Sequence, residues 1–89
     1  MKEILGLVHN GLGITSRISA ELVAEANKAT KCEVTLECGD ETADLKSIMN
    51  MMSLIIKDQT EFKILIDGED EEDVYDSFVF LLNGLRLLK

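Results

Sequence analysis

Gly13-Ile14-Thr15-Ser16-Arg17-Ile18-Ser19-Ala20 is a junction between a loop and a helix. The glycine ends a loop, two hydroxyl residues follow, and a helical pattern then begins. Ile18, Leu22, Val23, Ala26 and Ala29 recur at near-helical spacing and build one apolar face. Thr15 and Ser16 are preferred N-cap types, so the helix is expected to run from about Thr15 to Lys28. A helix start carries unpaired N–H groups and a partial positive charge, which makes Thr15, Ser16 and Arg17 a candidate anion-binding trio. Arg17 has the wrong sign for the dipole at that end. It is better suited to gripping a phosphate or a carboxylate than to stabilising its own helix.

Upstream, Ile4 to Val8 reads as a strand, with Gly6 marking a close approach. His9-Asn10-Gly11-Leu12-Gly13 is the connecting loop. Downstream, Cys32, Val34, Leu36 and Cys38 alternate with Glu33, Thr35 and Glu37, the pattern of a strand with one wet face. Gly39-Asp40 turns the chain into a short strand around Glu41 to Ala43. Ser47 is placed to cap a short methionine-rich helix. Phe62, Ile64 and Ile66 form the inner face of a further strand, and Asp67-Gly68 is expected to turn the chain. Asp70 is expected to cap a last helix whose first turn is acidic (Glu71, Glu72, Asp73) and whose buried face is Val74, Phe78, Leu81, Leu82 and Leu85. The order βαββαβα predicts an α+β, two-layer sandwich, with an antiparallel sheet on one side and helices on the other.

The length suits one small domain, residues 1–89, and a hydrophobic content of 46% supports one core. A net charge of −8 argues against a nucleic-acid partner, which needs a basic stripe, and favours basic partners. No stretch is long enough to span a membrane, and the apolar run near Met1 is too short for a signal peptide, so a cytoplasmic protein is expected. Cys32 and Cys38 on one strand would lie about 20 Å apart, too far for a disulfide. They read as small buried residues. A metal site would need more ligands than the single His9 and two cysteines supply, and no cofactor is implied.

Two segments resemble a known family. Gly13 to Ala20 is similar to the active-site loop of the histidine-containing phosphocarrier protein, HPr, of bacterial sugar phosphotransferase systems, which reads Gly-Ile/Leu-His-Ala-Arg-Pro-Ala. Gly13, Ile14 and Arg17 match; Thr15 stands at the phosphohistidine position, Ser16 replaces alanine and Ile18 replaces proline. Leu45-Lys46-Ser47-Ile48-Met49-Asn50-Met51-Met52-Ser53-Leu54 resembles the family's Leu-Lys-Ser-Ile-Met-Gly-Val-Met-Ser-Leu still more closely. Asn50 and Met51 are its departures, and Ile55 and Gln59 replace glycines just beyond. The resemblance implies the HPr-like open-faced sandwich, a four-stranded antiparallel sheet covered on one face by three helices. In Gram-positive members the serine matching Ser47 is phosphorylated by a dedicated kinase.

A phosphorylated imidazole transfers its phosphoryl group readily, whereas a threonine phosphate monoester is inert without catalysis. Thr15 therefore does not replace a carrier histidine, and it reads as an N-cap hydroxyl or a regulatory phosphosite. His9 is either an exposed loop residue or a displaced acceptor. No nucleophile–base constellation is visible, so no enzyme is expected.

Three readings follow. The first is an HPr-like regulatory protein, similar to the catabolite-repression type that lacks the carrier histidine. It would signal through Ser47 and be served by HPr kinase/phosphorylase and a catabolite-control repressor. Its partner-binding residues would be Arg17, Ile18, Ser47, Ile48, Met49 and Met52. The second is a diverged component that docks Enzyme I without carrying phosphate. The third is a plain interaction domain. In the HPr fold both early helices are expected to begin near one loop end, which would set Ile18, Ile48, Met49 and Met52 beside Arg17. Lys46 would then flank a phosphate on Ser47.

Overall fold

The computed structural model describes residues 1–89. Seven elements follow in the order β1 (Lys2–Val8), α1 (Ser16–Asn27), β2 (Cys32–Cys38), β3 (Glu41–Asp44), α2 (Ile48–Ser53), β4 (Thr60–Gly68) and α3 (Glu71–Gly84). The four strands form one antiparallel sheet in the order β1-β4-β2-β3. β4, the last strand in sequence, is interior, paired with β1 on one side and β2 on the other. Phe62, Ile64 and Ile66 are all buried there, facing Gly6, Ile4, Val34 and Leu36 across the ladder.

The period of two in the strands separates this core from a polar outer face that carries Glu3, Glu33, Glu37 and Glu61. The core is closed by Leu22 and Ala26 of α1, Met51 of α2, and Val74, Phe78 and Leu82 of α3. Leu81 and Leu85, expected among the buried residues of α3, are only partly buried and pack on the rim of that core. Gly6 has a steric reason: a Cβ there would fall 2.2 Å from the Phe62 ring.

Two local expectations are corrected. Asp67-Gly68 does not turn the chain; both residues belong to β4 and pair with Glu33 and Cys32. Gly68 is required for that close pairing, since a Cβ would sit 2.3 Å from the Cys32 Cβ and the Lys31 carbonyl. The turn falls on Glu69 and Asp70. Asp70 occupies the N-cap position of α3, but its side chain makes no capping hydrogen bond, and its Oδ1 is buried without a partner. Glu71 instead reaches back, accepting from the Gly68 N–H at 3.2 Å and pairing with the Met1 ammonium at 2.9 Å.

Candidate functional site

The loop that delivers α1 is built from its own side chains. Asn10 Oδ1 accepts from the N–H groups of Leu12 (2.8 Å) and Gly13 (2.9 Å), and Asn10 Nδ2 donates to the Gly13 carbonyl at 3.0 Å. Asp58, just before β4, accepts from the Gly11 N–H at 2.9 Å. Gly13 adopts φ +82°, and a Cβ there would meet the Ile56 carbonyl oxygen at 2.5 Å. Only glycine fits, because the left-handed backbone and the close approach both exclude a side chain. The next amide, Ile14 N–H, donates to that same Ile56 carbonyl at 2.8 Å.

α1 starts as its sequence requires. Thr15 is extended, and its hydroxyl accepts from the Ile18 N–H at 3.3 Å. The N–H groups of Ser16 and Arg17 have no partner inside the helix. Ser16 and Arg17 are exposed, and the guanidinium makes no ion pair. Thr15, Ser16 and Arg17 therefore stand together at one helix start. His9 is exposed at the end of β1 and makes no side-chain hydrogen bond to Thr15, Ser16 or Arg17.

α2 starts in the same way. Ser47 is extended, and its hydroxyl accepts from the Asn50 N–H at 3.2 Å. Ile48, Met49 and Met52 are exposed and Ile18 is half-buried. Met51 alone among the methionines of α2 turns into the core. Leu12 and Ile55 are also exposed. Leu12, between two loop glycines, extends the exposed apolar surface beyond the residues expected, as does Ile55, which stands at a family glycine position.

The two helix starts do not share an end, contrary to expectation. Ile14, just before α1, is bonded to Ile56, just after α2. At the other end Asn27, the last residue of α1, donates to the Lys46 carbonyl at 3.0 Å. α1 and α2 thus lie with opposite ends together, and Ser47 is set off from the Thr15 end by the length of α1, about 18 Å for its 12 residues at 1.5 Å each. Arg17 flanks the Met52–Ile55 end of the apolar stripe, and Ser47 the other.

Lys46 is also not where a phosphate on Ser47 would use it. Its ammonium donates to the buried carbonyls of Ala29 (2.5 Å) and Cys32 (2.6 Å), tying off the exit of α1. Cys32 is buried as expected, whereas Cys38, expected buried as well, is only half-buried at the end of β2. Burial first, and then the Asp70 carboxylate beside it, pushes the Cys32 thiol up to about 11, and burial raises Cys38 as well. No three metal-ligating side chains converge anywhere in the molecule, and no helix is long and apolar enough to cross a membrane.

An open-faced βαββαβα sandwich that presents two capped helix starts along one apolar stripe defines a small protein-docking domain of the phosphocarrier type. The family model for the PTS HPr component phosphorylation site matches residues 6–83. The chain is 36% identical over 77 residues to the phosphocarrier protein HPr of Lysinibacillus sphaericus, covering 85% of each. It is 38% identical over 64 residues to the HPr-like protein Crh of Bacillus subtilis, covering 72% of this chain and 74% of Crh. A solved Mycoplasma histidine-containing phosphocarrier protein superposes with a TM-score of 0.90 at 26% identity, over 99% of both chains. The chain belongs to the HPr family of the sugar phosphotransferase system.

Proposed function

We propose that this protein is a regulatory HPr-family member that does not carry phosphate on histidine and is controlled through Ser47. The observation that carries this reading is that two hydroxyl-capped helix starts flank one exposed apolar stripe, with an imidazole at neither. Thr15, at the family's phosphohistidine position, offers a hydroxyl where a carrier needs an imidazole. Ser47 heads a segment whose exposed Ile48, Met49 and Met52 keep the family's docking residues. The likeness to the HPr-like protein Crh supports it. The domain acts as a docking partner in the cytoplasm rather than as an enzyme. Its partners are HPr kinase/phosphorylase and a catabolite-control repressor, engaged through Arg17, Ile18, Ser47, Ile48, Met49 and Met52.

Incubation with phosphoenolpyruvate and Enzyme I should leave no acid-labile phosphate, whereas HPr kinase should modify Ser47 and spare Ser47→Ala. Repressor affinity should rise on modification and fall with Arg17→Ala, since a guanidinium forms paired charge-assisted bonds to a carboxylate. An acid-labile adduct would redirect attention to His9. Equal repressor affinity before and after kinase treatment would leave docking on Enzyme I without transfer as the better reading.

A further inference from the structure

The docking stripe is rich in exposed thioethers. Met49 is 78% and Met52 52% exposed, at i and i+3 on α2, whereas Met51 between them is 2% exposed. The six-residue helix therefore sorts its methionines by face: two stand in the stripe beside Ile48 and one holds the core. The competing sulfurs are quiet. Cys32 is buried, and both thiols are shifted upward, so neither is a thiolate at neutral pH. A thioether needs no deprotonation to react. Met1 is also exposed, but it lies outside α2, with its ammonium on Glu71.

We propose that Met49 and Met52 are a paired oxidation site for hydroperoxides, and that their conversion to sulfoxides turns the docking stripe from apolar to polar without unfolding the protein. In each step the sulfur lone pair attacks the distal oxygen of the peroxide. The S–O bond forms and the O–O bond breaks, the proton on the attacked oxygen passes to the departing oxygen, sulfur is oxidised by two electrons, and the peroxide leaves as water from hydrogen peroxide or as an alcohol from an organic hydroperoxide. The product is a strong hydrogen-bond acceptor where the stripe offered a polarizable apolar surface. Met51 is spared because its sulfur is reached only when α2 opens locally. The consequence for partners rests on the docking role proposed above, whereas the site itself does not.

The test treats the full-length protein with hydrogen peroxide and follows each methionine by peptide mass mapping. Met49 and Met52 should gain one oxygen about tenfold or more faster than Met51. Retention on a hydrophobic-interaction column should fall in step, and circular dichroism should stay unchanged. The Met49→Leu/Met52→Leu double variant should keep its retention after peroxide, because leucine remains apolar. Oxidation of Met51 at the rate of the other two, or wild-type retention unaffected by full conversion of Met49 and Met52, would overturn the proposal. Kinase assays before and after treatment separate the two readings. An untreated protein that is no kinase substrate counts against the docking role alone, while the mapping and retention results still decide the oxidation site. If the untreated protein is modified, equal rates before and after oxidation would overturn the proposed effect on partners.

Discussion

Three residues depart from what their neighbourhood prefers, and each yields a measurable consequence. Lys46 gives its charge to two main-chain carbonyls of buried residues, Ala29 and Cys32. Lys46→Met should strand both acceptors and destabilise the fold by about 1–3 kcal/mol, the usual cost of buried unsatisfied groups, which a urea titration would read. Gln59 is held at φ +67°, where its amide donates to the Val8 carbonyl. A side chain in that region costs about 1–2 kcal/mol, part of which glycine returns through its freer unfolded chain, so Gln59→Gly should stabilise by up to about 1 kcal/mol. Gly13→Ala should do the reverse and more, because its new Cβ meets the Ile56 carbonyl. Amide exchange in Gly11 to Arg17 should accelerate as the junction loosens. Of the three, only Gly13 was legible in the sequence. Glycine at position 13 announced a special backbone, but Gln59 gave no sign of a left-handed residue beyond its departure from the family's glycine. Lys46 read as a surface charge because the carbonyls it serves are distant in sequence.

At the scale of elements, both hydroxyl caps sit where the pattern put them, and each carries a similar stake. Thr15→Ala and Ser47→Ala should each cost about 1 kcal/mol, visible as a lowered Tm. The smaller effect is expected at α2, a helix of six residues. Phosphate on Ser47 should change stability by no more than a few tenths to about 1 kcal/mol, because it meets the α2 N–H groups but not the committed ammonium of Lys46. α3 ends in a device the sequence hid. Arg86 takes φ +59°, Leu87 N–H donates to the Leu82 carbonyl at 2.8 Å, and Arg86 N–H donates to that of Asn83 at 3.2 Å. That is a Schellman ending, with buried Leu82 and Leu87 as its apolar clasp. An arginine in the glycine position conceals it from pattern reading. The strands and the first helix were legible because periods of 2 and 3.6 survive substitution. The turn at Glu69-Asp70 was not, because Asp67-Gly68 is a common turn pair and only the pairing partner Cys32 explains the glycine inside β4. The relative direction of α1 and α2 was likewise beyond sequence reading, since two long-range hydrogen bonds set it.

Across the whole molecule, two groups tie stability to pH at opposite ends of the scale. Glu71 is held below the usual carboxylate range by the Met1 ammonium first and the Gly68 N–H second. Its contribution is present above the unfolded carboxyl pKa and is lost as pH falls through the lower folded value. Glu71→Gln should therefore flatten the acid limb of a Tm-against-pH curve. Cys32 is raised from 9.0 to about 11, so its contribution is intact below 9 and is lost as pH climbs toward 11. Cys32→Ala should remove that part of the alkaline slope in a Tm-against-pH curve. The opposed arrangement of α1 and α2 has a further consequence, set by size alone. The entire accessible surface is 5380 Å², and one ordinary partner covers about 800 Å² of it. The stripe between the two helix starts is shorter than such a footprint is wide. On the docking role proposed above, a protein seated at the Arg17 end would shade the Ser47 end, and the reverse, so two clients of comparable affinity would compete for one berth and the more abundant would hold it.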